Sequence, residues 1–111
     1  MAKFEAQLRG DFDVILRAIH DGILRGSASA SYEDGSDFRG PDARCAVRVY
    51  ERYSMIGQNR VSLNVTLLQG GGRVFLSAIT SGGSQAVFFK LNTLGEESFL
   101  AQLVSVARRF Q

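Results

Sequence analysis

The residues that could carry acid–base, nucleophilic or metal chemistry are few and far apart in this chain. It holds one histidine, His20, and one cysteine, Cys45, among its 111 residues. A metal site or a nucleophile–base pair needs several such side chains at fixed spacings, and these two have no companions of their kind. The aspartates Asp34, Asp37 and Asp42 do not match the spacing of a calcium-binding loop. We therefore expect a protein that is not an enzyme and that uses no metal and no cofactor.

Two glycine-rich stretches, at residues 70–72 and 81–84, resemble phosphate-binding loops in composition alone. A phosphate loop leads into the N-terminal end of a helix, whereas both stretches here adjoin predicted strands. We interpret both of them as turns of the chain.

Arginines and aromatic residues make one side of a predicted sheet the best candidate for a site. Alternation along residues 44–53 places arginine and tyrosine on one side, and neighbouring strands add polar and aromatic groups to that side. The predicted surface consists of Arg48, Tyr50, Arg52, Asn64, Phe75, Ile79 and Phe88. Because arginine and aromatic residues are enriched at interface centres, we predict a partner surface, used for a symmetric homodimer.

Three alternatives stay open for this protein. The surface could be an ordinary open face of an antiparallel sheet, which commonly meets water. Its basic and aromatic groups could instead bind a small anion or a nucleic-acid strand, although the signatures of RNA-binding sheets are absent and nucleic acid is not expected. A pocket under the C-terminal helix, with Glu51 and Tyr53 as its polar groups, would make the protein a carrier of small hydrophobic ligands.

Composition and length predict one domain over residues 1–111. The 45% hydrophobic and 22% charged residues are typical of a globular protein, and a formal net charge of +2 is too small to indicate nucleic acid. A lone cysteine cannot form an internal disulfide. Since no apolar run approaches the ~20 residues of a membrane span and the first residues lack a signal segment, we predict a cytoplasmic protein without a membrane partner.

The predicted sheet is organised around a β-hairpin over residues 60–80. Every second position of its two arms is aliphatic: Val61, Leu63, Val65, Leu67, Val74, Leu76 and Ala78. A two-residue turn at Gly70 and Gly71 would place Leu67 opposite Val74. We call the side that carries these aliphatic residues the inner face of the sheet, and the opposite side the outer face.

Four further strands are predicted, at residues 3–8, 27–32, 44–53 and 85–91. In the third of them, Cys45, Val47 and Val49 are expected to point to the inner face. Residues 33–43 contain two glycines, the only proline and four acidic residues, so we expect a mobile surface loop there.

Two amphipathic helices are predicted, each with one apolar side. The first begins near Asp11 and carries Phe12, Ile15, Leu16, Ile19 and Ile23 on that side. Thr93 and Glu96 have the spacing of a capping box, which predicts that the second helix begins there. The apolar side of the second helix consists of Leu100, Leu103, Val104, Ala107 and Phe110.

The order of these elements, β-α-β-β-β-β-β-α, predicts an α+β fold. Two helices with one apolar side each can both be buried only on the same face of the sheet. We therefore predict a twisted antiparallel sheet of five or six strands with two helices on one face. The element order resembles a shortened helix-grip fold or a TATA-box-binding-protein-like sheet.

Three segments carry a resemblance to a known family: ARCAVRVYERY at residues 43–53, NRVSLNVTLL at residues 59–68 and SGGSQAVFFKLNTLGEE at residues 81–97. They resemble a family of short, single-domain bacterial proteins, common in anaerobic Gram-positive species, that is catalogued as a domain of unknown function. The resemblance covers nearly the whole chain. It implies a compact cytosolic domain and supplies no activity, cofactor or catalytic residue.

Overall fold

The computed structural model of this protein describes residues 1–54, 59–82 and 89–111. Its elements are β1 (Ala2–Leu8), α1 (Phe12–Arg25), β2 (Ser31–Arg39), β3 (Ala43–Ser54), β4 (Asn59–Gly70), β5 (Arg73–Gly82), α2 (Phe89–Ala107) and a short 3-10 helix (Arg108–Phe110). The strands form an antiparallel sheet of five, in the order β1-β5-β4-β3-β2. The predicted α+β class is confirmed.

β4 and β5 form the predicted hairpin, but its turn lies one residue later than expected. Gly71 and Gly72 both have positive φ angles, 57° and 76°, which suit a two-residue hairpin turn. Leu67 is therefore opposite Leu76 and not opposite Val74. Moving a turn by one residue changes the pairing by two, so that every side chain keeps its predicted face.

The segment predicted to be a mobile loop is largely a strand. β2 covers Ser31–Arg39, whereas residues 27–30, predicted as a strand, lie outside it. It pairs with β3 along its length, with a β-bulge between Tyr32 and Asp34. Because β2 is an edge strand with most of its side chains exposed, its composition is polar and resembles that of a loop.

The two faces of β3 are reversed relative to the prediction. Tyr50 lies opposite Leu63 and is completely buried on the inner face. The residues predicted to point inward belong instead to the outer face: Cys45, Val47 and Val49. Apolar side chains on both sides make the alternation of β3 ambiguous. Two of its inward-facing arginines, Arg44 and Arg48, place their guanidinium groups against the exposed Asp13 and Asp37.

α2 begins at Phe89, four residues before the predicted start. The predicted strand is therefore wrong for residues 89–91, and residues 85–88 lie outside the described part of the chain. A short apolar run fits a strand or a helix equally well. Thr93 and Glu96 lie inside the helix, so they cannot cap its first turn. Glu96 is buried and accepts a hydrogen bond from the amino group of Met1, at 3.1 Å.

α1 begins where the sequence predicts and covers the β3 side of the inner face. The carboxylate of Asp11 caps it by accepting a hydrogen bond from the backbone N–H of Val14, at 3.0 Å. Asp13 and Arg44 of β3 form a two-pronged ion pair with N–O distances of 2.6 and 2.9 Å. The hydrogen bond from Arg44 lowers the pKa of Asp13. Arg44 also lies over the ring of Phe12, so that α1 is tied to β3 at its first turn.

α2 covers the other part of the inner face, over β1, β5 and β4, and packs against α1. The two helices approach closely at Gly22, where a Cβ atom would lie 2.4 Å from Cγ2 of Val106. The core between the helices and the sheet includes Ile15, Ile19, Ile23, Leu63, Val65, Leu67, Leu76, Phe99 and Leu103. Both helices therefore occupy one face, as predicted, and the outer face of the sheet has no helix on it in the described part of the chain.

Candidate interaction surface

The residues predicted to share one surface are divided between the two faces of the sheet. The outer face carries Asn64, Phe75 and Ile79, whereas the inner face carries Arg48, Tyr50 and Arg52. Phe88 lies outside the described residues. The predicted single patch is therefore wrong, because the faces of β3 are reversed.

An apolar row crosses four strands of the outer face. Pairing places Phe38 of β2 opposite Cys45 of β3, Cys45 opposite Leu68 of β4, and Leu68 opposite Phe75 of β5. Phe38 is 63% exposed, Leu68 44% and Phe75 37%. Directly opposed residues on one face of a sheet have Cβ atoms about 4.5–5.5 Å apart. These four side chains therefore form one continuous strip, which we call the apolar row.

Polarity increases along the strands away from the apolar row. The second row, from β2 to β1, consists of Ser36, Val47, Thr66, Ser77 and Glu5. The third row consists of Asp34, Val49, Asn64, Ile79 and Lys3. Ile79 is 40% exposed. The outer face is thus apolar near the hairpin turns, mixed in its middle, and oppositely charged at the two ends of its third row.

A cluster of three rings lies on the other side of the sheet, where α1 meets β2 and β3. The hydroxyl oxygen of Tyr50 lies 2.8 Å from Nδ1 of His20 on α1. Tyr32 of β2 packs against both rings, with centroid distances of 5.6 and 5.8 Å. Burial raises the pKa of Tyr50 to about 12, so the phenol stays protonated at neutral pH. The hydrogen bond satisfies a buried hydroxyl, which gives the cluster a structural role.

The cleft beside this cluster has no strong charge of either sign. It has a volume of about 610 Å³ and is lined by Asp13, Leu16, Arg17, His20, Asp21 and Arg48. The two arginines and two aspartates balance each other, and His20 already shares a hydrogen bond with Tyr50. The cleft therefore offers no concentrated charge for an ionic ligand.

The two predicted site arginines are engaged within the chain. Arg48 forms an ion pair with Asp37 at 2.9 Å and donates to the carbonyl of Val47. The guanidinium of Arg52 lies 4.8 Å from the ring centre of Phe99, and burial lowers its pKa. Neither belongs to the outer face, which the anion-binding and nucleic-acid-binding alternatives require to be basic.

The residues missed by sequence analysis are those that make the outer face apolar: Phe38, Cys45, Val47, Val49 and Leu68. Leu68 directly follows Leu67, so a strictly alternating strand must turn one of the two outward, and this signal was available in the sequence. Phe38 had no such signal, because its segment has the composition of a loop. Cys45 is half-buried, in contrast to the buried position expected for it.

Features of other kinds of site are weak in the described residues. No group of three or more histidine, cysteine, aspartate or glutamate side chains in them comes close enough to hold a metal ion. Glu51 and Tyr53, predicted as polar groups of a pocket under α2, lie on the outer face. In residues 1–54, 59–82 and 89–111, neither helix has the length and apolar character that crossing a membrane requires.

Comparison with known protein families matches residues 1–111, the whole chain, to a family of unknown function (DUF6054). The chain belongs to this family, and the predicted resemblance to a domain of unknown function is confirmed. No curated protein and no solved structure gives a significant match. The resemblance of the element order to a helix-grip or TATA-box-binding-protein-like fold thus stays a prediction.

Proposed function

We propose that this member of the DUF6054 family is a non-enzymatic, self-associating module, in which two copies pack together through the outer faces of their sheets. The observation that carries the proposal is the apolar row of Phe38, Cys45, Leu68 and Phe75 on the open side of the sheet. When one face of an antiparallel sheet meets only water, the residues on that face are ordinarily polar. A contiguous exposed apolar strip is typical of an interaction site.

The dimensions of the outer face suit a stable interface. Five strands about 4.8 Å apart span about 24 Å, and the strands, of seven to twelve residues, extend over about 33 Å on average. The resulting face of roughly 800 Å² is similar to the ~800 Å² that each partner buries in a standard interface. Face-to-face packing of two antiparallel sheets is also a common arrangement in proteins.

The alternative function, a carrier with a pocket between the sheet and α2, has less support. Leu63, Leu76, Phe99 and Leu103 are completely buried between these layers. Side chains that pack at the density of a protein interior leave little room for a ligand. The two polar groups that the pocket required, Glu51 and Tyr53, face the other side of the sheet.

Analytical ultracentrifugation of the wild type and two variants tests the proposal. We expect a dimer at micromolar concentration, and we expect Phe75→Glu to raise its dissociation constant at least about a hundredfold, because the variant buries an unpaired charge. Val14→Glu is the matched control, since Val14 is exposed on α1, away from the outer face. It should leave the dimer intact.

Three results would contradict the proposal. The first is a wild type that sediments as a monomer at the highest concentration at which the protein stays soluble. The second is a dimer that Phe75→Glu leaves unchanged, which would place the interface on a different surface. The third is a dimer that is lost equally in Phe75→Glu and Val14→Glu, which would count against the outer face.

A further inference from the structure

We propose that the two copies are related by a two-fold axis that lies midway between their sheets and runs parallel to β4. Each row of the outer face then packs on the same row of the partner. This inference rests on the proposed self-association. β4 is the central strand of the order β1-β5-β4-β3-β2. Rotation about an axis along it places β4 on the partner's β4, β5 on the partner's β3 and β1 on the partner's β2.

The apolar row favours this axis. Leu68 then faces the partner's Leu68, and Phe75 faces the partner's Cys45, so that apolar surface covers apolar surface over the three central strands. At the β2 end of the row, Phe38 faces Gln7 on the partner's β1. A two-fold axis across the strands would instead turn one end of the sheet onto the other. Leu68 would then face the region of Ser62, whose hydroxyl is hydrogen-bonded to Ser81 at 2.8 Å. That arrangement covers an apolar strip with polar groups.

The charges in the third row favour the same axis. Lys3 stands on β1 at one end of this row, and Asp34 stands on β2 at the other end. The proposed rotation brings Lys3 of each copy over the partner's Asp34, which gives two symmetric ion pairs. The long lysine side chain suits the ~10 Å between packed sheets. An axis across the strands would instead place β2 on β2, with Glu33 and Asp34 approaching their own copies.

Both charges are available for this contact. The side chain of Lys3 is 60% exposed, and its nearest carboxylate, that of Glu5, lies 3.9 Å away at the edge of ion-pair distance. Asp34 accepts a hydrogen bond from the backbone N–H of Gly35, and no ion pair involves it within the described residues. In the proposed pair, a second copy of this chain gives Asp34 a complementary charge and gives Lys3 a second one beside that of Glu5.

Charge reversal tests the axis separately from the association itself. Lys3→Glu and Asp34→Lys should each weaken the dimer about five- to tenfold at low salt, because each replaces two attractions by two repulsions. An equimolar mixture of the two variants should form a heterodimer as tight as the wild type, since both of its cross pairs are attractive. The double variant Lys3→Glu/Asp34→Lys should also recover wild-type affinity within about threefold. Analytical ultracentrifugation at low and high salt measures all four.

The double variant Arg25→Glu/Asp34→Lys is the matched control. It makes the same two charge changes, but Arg25 is exposed on α1, on the helix side of the protein. We expect this control to stay as weak as Asp34→Lys alone. Recovery in the control would mean that net charge, and not the pairing of Lys3 with Asp34, sets the affinity.

The outcomes separate the two proposals. A monomeric wild type overturns the self-association and the axis together. A dimer that Phe75→Glu dissociates, but that the single charge reversals leave unchanged, keeps the outer-face interface and overturns this axis. An axis across the strands predicts that result, because each charge would face its own copy before and after the reversal.

Discussion

Replacing Tyr50 with phenylalanine removes one hydroxyl group from the buried side of β3. The hydroxyl oxygen lies 2.8 Å from Nδ1 of His20, and the ring has no solvent exposure. A hydrogen bond of this kind contributes about 0.5–1.5 kcal/mol to folding. Because the imidazole is half-buried and can bind water instead, we expect Tyr50→Phe to lower the free energy of unfolding by about 1 kcal/mol at pH 7.

Alkaline pH should remove this difference. The pKa of Tyr50 is raised by burial from 10.0 to about 12 in the folded protein. A raised folded-state pKa means that the unfolded chain loses this proton first, so the stability that the phenol provides is complete below pH 10 and declines as the pH rises towards 12. At pH 11 the wild type has lost about 1.4 kcal/mol by this route, whereas Tyr50→Phe has no such proton to lose. The two proteins should then be about equally stable.

Urea unfolding followed by far-ultraviolet circular dichroism, at pH 7 and pH 11 and at one protein concentration, measures both effects. Tyr53→Phe is the control, because Tyr53 is 42% exposed on the outer face, and it should match the wild type within about 0.5 kcal/mol at both pH values. If Tyr50→Phe equals the wild type at pH 7 and the difference does not change at pH 11, then Tyr50 is not packed against His20. The assignment of the faces of β3 would then be refuted.

Two further substitutions test the helix layer. Gly22→Ala should destabilise the protein by about 1 kcal/mol despite the better helix propensity of alanine, because its Cβ would lie 2.4 Å from Cγ2 of the stiff Val106 side chain. Adding Val106→Ala should relieve the clash in a double-mutant cycle, and a Gly22→Ala variant more stable than the wild type would contradict the close helix contact. Asp11→Ala should cost about 1 kcal/mol in thermal unfolding because the N–H of Val14 loses its cap, whereas Asp11→Ser should retain most of the stability; equal losses would contradict the cap.

The faces of the central hairpin could be predicted from sequence, but its pairing could not. Its aliphatic residues alternate without interruption from Val61 to Leu67, so local spacing alone decides which side is buried. Three consecutive glycines, at residues 70–72, offer two positions for a two-residue turn. The choice between them depends on how the arms fit across the sheet, which the spacing of residues does not contain.

β3 shows where local patterns fail. Both of its sides carry apolar residues, and the buried side is the one with three arginines, at positions 44, 48 and 52. The contacts that favour the burial of that side come from residues distant in sequence. His20 shares a hydrogen bond with Tyr50, and Asp13 and Asp37 form ion pairs with Arg44 and Arg48. Long-range partners of this kind cannot be recognised before the fold is known.

Only part of the candidate site could be predicted from sequence, because the same ambiguity affects its strands. Phe75, Ile79 and Asn64 were placed on the outer face correctly, because they alternate with the clear core positions of β4 and β5. Phe38 belongs to a strand that resembles a loop, and Cys45 to a strand whose faces are ambiguous. The apolar row becomes visible only when four strands are aligned.

The β-bulge between Tyr32 and Asp34 bears on how far assembly can proceed. An outermost strand with free backbone N–H and C=O groups can template the addition of further strands, and so the growth of fibres. The bulge breaks the regular spacing of these backbone groups in β2. The negative charges of Glu33 and Asp34 beside it repel the same strand of another copy. At the opposite margin, β1 alternates Lys3 and Glu5 on its exposed side. Growth in the plane of the sheet is thus discouraged at both margins, so that the proposed face-to-face pair would be closed and finite.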